Sequence, residues 1–214
     1  MRELRYTLVT DGSSDIVLIP IITWTLIESG VKCAIQSEWA DLRKFPIREK
    51  LKLEKKILLS LHYYPCDLLF VHRDAERESV ETRKNEICRV ISDINENEPV
   101  VCVVPVRMQE AWLLFNDEAI RHAAGNRSGR QPLKFPPISQ IEKEPNPKAV
   151  LHESLRDASG LRGHRLRRFN VNRSAHRIAE YISDFSPLRA LSAFNIFEHD
   201  VREIVREHDW SKQK

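Results

Sequence analysis

Strand-like and helix-like segments alternate through the first half of the chain, and this alternation restricts the fold more than any other feature of the sequence. Four β-rich segments occur, at residues 4–10, 31–39, 67–71 and 99–106. Strands that alternate with helices are typical of a mostly parallel sheet with helices packed on its faces. The last segment (PVVCVVPV) is almost continuously apolar, as expected of a strand that is buried on both faces. The order of segments therefore predicts an α/β fold.

Helical spacing of apolar residues connects these strands and continues after the last of them. In the first half, helices are predicted for residues 13–30, 47–64 and 78–95. In the second half, helices are predicted for residues 107–115, 117–124, 147–158 and 186–207. Residues 125–147 contain two glycines and five prolines, which predicts a surface loop. We therefore divide the chain into an α/β domain, residues 1–116, and a helical extension packed on it, residues 117–214.

Charge is balanced over the whole chain but concentrated in one segment. The 214 residues carry 34 basic and 31 acidic side chains, and a net charge of +3 does not by itself indicate a polyanionic partner. Residues 151–178, however, contain seven arginines and only Glu153 and Asp157 as acids, which is a local charge of +5. A partner that binds through charge is therefore expected at this segment.

The cysteines and the apolar runs favour the cytoplasm. The four cysteines are scattered without a C-x-x-C pair, which indicates a reducing compartment and no structural zinc. The charged residues Arg2, Glu3 and Arg5 do not resemble a signal peptide. The longest apolar run, 16–27, is interrupted by Pro20 and is too short to span a bilayer. We expect a soluble cytoplasmic protein that does not enter a membrane.

Acidic residues follow three of the predicted strands. Asp11 and Asp15 follow the first strand, Asp74 and Glu76 follow the third, and Glu110 follows the fourth. If the first and third strands are neighbours, these carboxylates converge at one edge of the sheet, where ligands of open α/β sheets bind. Their mutual repulsion would be relieved by protonation or by a divalent cation such as Mg²⁺ or Mn²⁺. A metal site that activates water beside a phosphate is one interpretation.

Each of these acids also has a purely structural interpretation. Asp11 and Asp15 flank Gly-Ser-Ser and would serve as turn and cap residues. Glu110 would be a carboxylate at the start of a helix, near the positive end of its dipole. His72, two residues before Asp74, is expected to be a packed or hydrogen-bonded histidine and not a ligand. Trp112 is assigned to the core.

Two of these acidic segments resemble a known family. Residues 74–79 (DAERES) resemble the D-x-D-R-E-G segment of TOPRIM domains, and residues 10–15 (TDGSSD) resemble the strand-end E-G-x-x-D that precedes the first helix of that fold. Residues 104–114 (VPVRMQEAWLL) are further similar to small TOPRIM-like proteins encoded beside ATPases in bacterial anti-phage loci. The resemblance covers roughly residues 2–106. It departs from the family at Asp11, where the family has Glu, at Glu76, where it has Asp, and at Ser79, where it has Gly.

The resemblance implies a fold and a chemistry. TOPRIM domains are the Rossmannoid metal-binding fold of topoisomerases, primases, small ribonucleases and OLD-family nucleases. By this resemblance, Asp74 and Glu76 would hold Mg²⁺ or Mn²⁺, and Asp11 would be a ligand or a general base acting through water. Asp15 and Glu110 would complete the metal shell.

The arginine-rich segment is the predicted nucleic-acid surface. Its candidate phosphate-binding residues are Arg162, Arg165, Arg167, Arg168 and Arg173. Guanidinium groups bind phosphates in a bidentate manner, so that arginines beside a metal site would hold a nucleic-acid backbone over it. The alternatives are a solvated helix face or a surface for an acidic protein. The sequence does not distinguish DNA from RNA.

Three functions therefore follow, in order of preference. The first is a Mg²⁺-dependent endonuclease that acts as a toxin-like effector in anti-phage defence with an ATPase partner. The second is a non-catalytic TOPRIM-like subunit that docks on an ATPase through its arginines. The third, a small-molecule phosphate chemistry, lacks a glycine-rich phosphate loop, since the chain contains only six glycines. A homo-oligomer is compatible with each of them.

Overall fold

Four parallel strands form a sheet in the part of the chain that the structure, a computed structural model, describes, namely residues 3–45, 51–94 and 98–211. The strands are β1 (Glu3–Val9), β2 (Ala34–Trp39), β3 (Leu68–His72) and β4 (Val100–Val103). Their order across the sheet is β2-β1-β3-β4, and every adjacent pair is parallel. The prediction of an α/β fold with a Rossmannoid parallel sheet is confirmed, and so is the adjacency of the first and third strands.

The two faces of the sheet are covered by different helices. Alternate residues of the strands, such as Tyr6 and Phe70, pack with α1 (Leu18–Glu28) and with the long helix close to the C-terminus. The intervening residues, such as Val71, pack on the other face with α2 (Leu53–Tyr63) and α3 (Val80–Ile94). The helix after β1 and the helices after β2 and β3 thus lie on opposite faces. The strand order reverses between β1 and β3. The crevice between the carboxyl ends of these two strands is therefore a topological switch point.

Helices make up the second half of the described chain. They are α4 (Asp117–Ala123), α5 (Ile138–Ile141), α6 (Pro147–Ser159), α7 (Gly163–Arg167), α8 (Val171–Ala175) and α9 (Ser192–Glu207). Short 3₁₀ helices lie at Ser13–Val17, Leu42–Lys44, Gln109–Leu113, Ile178–Tyr181 and Ser186–Ala190. Among the described residues, no helix is both long enough and apolar enough to cross a membrane.

Several predicted boundaries are wrong. The segment 107–115 forms a 3₁₀ helix over Gln109–Leu113, and the predicted loop 125–147 contains α5. The predicted helix 186–207 is interrupted at Leu191, whose backbone is extended (φ −99°, ψ 134°). The predicted start of the helix 47–64 lies partly outside the described residues, and the described part begins at Leu53.

The interruption at Leu191 has a physical cause outside its own segment. The carboxylate of Glu142, just after α5, accepts hydrogen bonds from the backbone N–H groups of Ser192 (3.0 Å) and Ala193 (2.9 Å) and from the Ser192 hydroxyl (2.7 Å). These N–H groups belong to the first turn of α9, where no partner exists inside the helix. Glu142 therefore fixes the start of α9 at Ser192.

Aromatic packing joins the sheet to the helical half. Trp112 is fully buried and contacts two rings of α9, with ring centroids 5.4 Å from Phe194 and 5.7 Å from Phe197. Phe197 in turn packs edge-on against Phe70 of β3, at 6.2 Å. The assignment of Trp112 to the core is confirmed. One cluster of buried side chains consequently extends across the predicted boundary at residues 116 and 117.

Trp112→Ala is expected to lower the free energy of unfolding by about 3 to 5 kcal/mol, because it leaves a cavity between the sheet and α9. Urea denaturation followed by circular dichroism measures this change. Trp112→Phe is the matched control: it keeps an aromatic ring and removes an indole N–H that has no hydrogen-bond partner among the described residues. An equal loss in both variants would contradict the packing role of the ring.

Candidate metal and phosphate site

The loops that follow β1 and β3 meet at the switch point. Val9 and Val71 are the last paired residues of β1 and β3, so both strands end at the same edge of the sheet. Asp15 lies in the 3₁₀ helix after β1, and Asp74 follows β3. The sequence prediction that these two loops share one edge is confirmed.

Asp74 is held at the centre of this edge by two neighbours. Its Oδ1 accepts a hydrogen bond from the backbone N–H of Gln109 (2.9 Å) and lies 3.5 Å from Nε2 of His72. Because 27% of its side chain is exposed, it remains accessible to a ligand. Asp74 therefore combines fixed orientation with access.

His72 lies beside the carboxylates of Asp74 and Asp15. It is buried, and its Nδ1 lies 2.9 Å from the carbonyl oxygen of Val103, which accepts a hydrogen bond when that nitrogen carries the proton. Its Nε2 then faces Asp74 at 3.5 Å and Asp15 Oδ2 at 3.9 Å. The expectation of a packed, hydrogen-bonded histidine agrees with this environment. His72 orients the acids.

Asp15 is fixed within its own loop. Its Oδ2 accepts the backbone N–H of Gly12 (3.0 Å), and its Oδ1 accepts the hydroxyl of Ser14 (2.8 Å). The side chain is nearly fully buried. The residue therefore serves as a local cap, as its structural interpretation predicts, and at the same time places a carboxylate beside His72.

The environment of Asp74 raises its pKa from 3.8 to about 7. Burial is the largest cause, while the charge of His72 and the Gln109 N–H act in the opposite direction. The negative charges of Glu110 and Asp15 raise the pKa further. Asp74 therefore holds a proton more readily than an exposed aspartate does, mainly because it is buried.

Asp74→Asn is expected to exceed the wild type in stability by roughly 1 to 3 kcal/mol at pH 8 in the absence of divalent cations. Between about pH 4 and 7 the folded protein binds the Asp74 proton more tightly than the unfolded chain does. The free energy of unfolding of the wild type therefore falls as the pH rises through this range, and an uncharged Asn avoids that loss. Urea titrations in EDTA at pH 5 and pH 8 measure it; a stability difference that is the same at both pH values would contradict the assignment.

The carboxylates have the donor chemistry of a site for a hard divalent cation. Oxygen donors are the ligands that Mg²⁺ and Mn²⁺ prefer, and an added positive charge would favour the ionised form of Asp74, whose pKa is raised mainly by burial and to a lesser extent by Glu110 and Asp15. Within the ranges that the structure describes, no group of three or more His, Cys, Asp or Glu side chains is already arranged to hold a metal ion. The donor chemistry of Asp15, Asp74 and Glu110 suits such an ion, whereas their arrangement in the described residues does not form a cluster that already holds one.

Asp11 is directed to a different set of partners. Its Oδ1 forms an ion pair with Nζ of Lys56 (2.6 Å), and its Oδ2 accepts from Nε of Arg73 (3.3 Å). Partial burial acts against these interactions, yet the two cations together lower the pKa of Asp11 below its ordinary value. Its charge is therefore already compensated in this arrangement.

Glu76 is exposed and occupies an unusual backbone conformation. Its φ is +54°, and Arg107, in the loop after β4, has a φ of +64°. The two residues bind each other: the Glu76 N–H donates to the Arg107 carbonyl (3.0 Å), and the Arg107 guanidinium donates to the Glu76 carbonyl (3.1 Å). Left-handed backbone costs roughly 1 to 3 kcal/mol at a residue other than glycine and is concentrated at functional sites. These bonds stabilise the loop that carries Asp74.

Lys148 and His152 of α6, which the sequence interpretation missed, lie beside Glu110. The nearly buried Glu110 carboxylate is 3.4 Å from Nζ of Lys148, which is 47% exposed. His152, one turn further along α6, lies in the same small cleft of about 20 Å³. Burial lowers the pKa of His152, followed by the charges of Lys148 and Arg156, while Glu110 opposes the change. The spacing of four residues between Lys148 and His152 is the only sequence signal that places them on one helix face.

The arginine-rich segment borders the same cleft. Its candidate residues Arg162, Arg165, Arg167, Arg168 and Arg173 are all exposed on or beside α7 and α8. Asn172 and Ala175 of α8, and His176 directly after it, line the cleft together with Ser14 and Glu110. The fold therefore brings the acidic edge and the basic segment next to each other, although almost a hundred residues separate Asp74 from α8.

Comparison of the chain with family models, with curated proteins and with solved structures finds no match. Its function is therefore inferred from the residues around Asp74.

Proposed function

We propose that this protein is a TOPRIM-like nuclease that hydrolyses phosphodiester bonds with Mg²⁺ or Mn²⁺. The observation that carries the proposal is the environment of Asp74, a half-buried carboxylate at the switch point whose pKa is raised to about 7. Burial and the nearby Glu110 and Asp15 carboxylates make this place favourable for a divalent cation.

The position of each residue around Asp74 suggests its role in this proposal. Asp74, Asp15 and Glu110 would hold the cation, which when bound supplies charge neutralisation and activation of water. Nε2 of His72 faces both acids, 3.5 Å from Asp74 and 3.9 Å from Asp15, and its Nδ1 is anchored on the Val103 carbonyl. Lys148 and His176, at the border of the acidic edge, and the arginines of α7 and α8 would bind the phosphates of the substrate.

Asp11 and Glu76 have secondary roles in this proposal. Asp11 must exchange its ion pairs with Lys56 and Arg73 before it acts as a ligand or a general base. Glu76 is exposed on the side of Arg73 and Glu86, where a cleft of about 750 Å³ opens. We propose that both residues contribute after substrate or a partner rearranges this side.

The same two residues favour a second candidate, a non-catalytic binding subunit. Two cations compensate the charge of Asp11, and Glu76 is exposed. The set of acidic ligands that the TOPRIM-like pattern implies is therefore incomplete in this arrangement. Such a subunit would use the exposed arginines of α7 and α8 to dock on an ATPase. A toxin-like effector role in anti-phage defence with an ATPase partner rests on the resemblance of residues 104–114.

A cleavage assay tests the nuclease directly. The protein is incubated with single-stranded and double-stranded DNA and RNA in Mg²⁺, in Mn²⁺ and in EDTA, with and without a candidate ATPase partner. Cleavage that depends on the divalent cation supports the nuclease. Cleavage that persists in EDTA would contradict the metal site, and tight nucleic-acid or ATPase binding without cleavage in any arm would favour the binding subunit.

A further inference from the structure

A second cavity opens at the same edge of the sheet, between the ends of β1 and β2. Its volume is about 290 Å³, which is close to the lower limit of small-molecule sites, roughly 300 Å³. The side chains that define its character are Thr10, Trp39, Asp41, Arg43, Lys56 and Ser60. Most of the surrounding surface is apolar, and a few polar groups converge on it, as in sites for small organic ligands.

Ser60 gives the cavity an unmet hydrogen-bonding requirement. It is fully buried in α2 and lines the cavity, and its Oγ has no hydrogen-bond partner among the described residues. A buried hydroxyl without a partner costs roughly 1 to 3 kcal/mol. The hydroxyl is covered in this arrangement, so a polar ligand edge would supply the missing partner once the neighbouring side chains move aside.

Trp39 gives the cavity a flat surface with a fixed orientation. Its indole N–H donates to Oγ of Thr10 (3.0 Å), whose hydroxyl in turn donates to the Gly12 carbonyl (2.8 Å). The Arg43 guanidinium lies over the indole, 4.9 Å from the ring centroid. Aromatic and guanidinium planes are the two surfaces on which nucleobases stack.

The charges of the cavity favour a neutral ring over a free anion. Arg43 is paired with Asp41 (2.7 and 3.0 Å), and Lys56 is paired with Asp11 (2.6 Å). Neither cation therefore offers uncompensated charge to a phosphate. Together with Ser60, the two pairs present both donors and acceptors, which is what the edge of a base requires.

The cavity and the acidic site share one loop. Gly12 and Ser13 line the cavity, Ser14 lines the cleft beside Glu110, and the carboxylate of Asp15 binds the Gly12 N–H. Asp15 is four positions after Asp11, so that their Cα atoms are at most roughly 14 Å apart. A nucleotide chain can therefore occupy both places.

We propose that this cavity, which we name the base cavity, binds a single unstacked nucleobase on Trp39 and Arg43, with its edge on Ser60. The base belongs either to a nucleic-acid strand or to a free nucleotide. Its use in positioning a strand for cleavage rests on the proposed nuclease function, whereas its binding does not.

Calorimetric titrations in EDTA test the base cavity without cleavage. The probes are adenosine, guanosine, cytidine and uridine, their monophosphates, ribose 5-phosphate, and short single-stranded DNA and RNA. Nucleosides are expected to bind and ribose 5-phosphate is not. Tighter binding of strands than of monophosphates identifies a strand as the source of the base, and the reverse order identifies a free nucleotide.

Variants assign the binding to the cavity. Trp39→Ala is expected to weaken binding of the base roughly 5- to 150-fold, the range for loss of one stacking surface, and Trp39→Phe retains most of it. Ser60→Ala is expected to weaken it roughly 2- to 10-fold, while the exposed Ser128→Ala leaves it unchanged.

Two results would overturn the base cavity: no nucleoside or strand binding to the wild type at millimolar probe, or equal affinity in the wild type, Trp39→Ala and Ser60→Ala. Because Ser60→Ala removes only one hydroxyl, it remains informative if Trp39→Ala does not fold. Asp74→Asn separates the two proposals, since it is expected to bind bases like the wild type and to lose cleavage. Base binding without cleavage in the wild type would contradict the nuclease and leave the base cavity supported.

Discussion

Asp74→Asn is expected to reduce metal-dependent cleavage of nucleic acid by roughly 100- to 1,000-fold, which corresponds to about 2.7 to 4 kcal/mol of transition-state stabilisation. Asn keeps the shape of the side chain and can still accept the Gln109 N–H, so that the loop after β3 remains in place. It removes the negative charge that would hold a cation between Asp15 and Glu110. Single-turnover kinetics with saturating Mg²⁺ measure the loss.

Asp93→Asn is the matched control, since Asp93 is an exposed aspartate on α3. It is expected to cleave at the wild-type rate. Glu76→Ala is expected to have a smaller effect than Asp74→Asn, because Glu76 is exposed and directed to the Arg73 side. Undiminished cleavage by both Asp74→Asn and Glu76→Ala would contradict the assignment of the site to these residues.

Replacing Arg167 and Arg168 together with Ala is expected to weaken nucleic-acid binding and to reduce its dependence on salt. Both side chains are exposed at the end of α7, and α8, the next helix along the chain, contributes residues to the cleft beside Glu110. If each binds one phosphate, the slope of log affinity against log salt becomes shallower by about 1.4 for single strands and by about 1.8 for duplex DNA. Fluorescence anisotropy between about 50 and 200 mM salt, in EDTA, measures the slope.

Arg127→Ala combined with Arg206→Ala controls for net charge. Both arginines are exposed outside the basic segment, and each is paired with a glutamate, Glu118 and Glu203 respectively. Their removal is expected to leave the slope almost unchanged. An identical slope in the wild type and in the Arg167 and Arg168 variant would indicate that the segment binds a protein partner.

The sequence predicted which strand ends carry the site, because the order of strands and helices depends on local periodicity. Apolar segments separated by helical ones identify a parallel sheet, and a parallel sheet brings the loops after β1 and β3 to one edge. Asp15 and Asp74 are therefore placed correctly relative to the strands. The neighbourhood of Glu110 also follows, since it lies a few residues after β4.

Side-chain direction was not predictable in the same way. Asp11 and Asp15 are four residues apart in one loop, yet Asp11 binds Lys56 of α2 and Arg73, whereas Asp15 faces His72. Glu76 is two residues from Asp74 and has a left-handed backbone that depends on its bonds to Arg107. Such partners come from other elements, and motif spacing does not report them.

Long-range contacts account for the remaining differences. Lys148 of α6 contacts Glu110, although almost forty residues separate them in the sequence. Glu142 caps the first turn of α9 at Ser192. Neither interaction leaves a periodic signal in the sequence. The cationic side of the site therefore became visible only in three dimensions.

Anomalous diffraction from a crystal soaked in Mn²⁺ locates the cation at the sheet edge without relying on activity. We expect one peak within about 2.0 to 2.6 Å of an Asp74 carboxylate oxygen, with Asp15 or Glu110 as a neighbour, and its loss in Asp74→Asn. A saturating soak that leaves Asp74 without a peak, or that places the ion at Asp11 and Glu76 alone, would contradict this expectation.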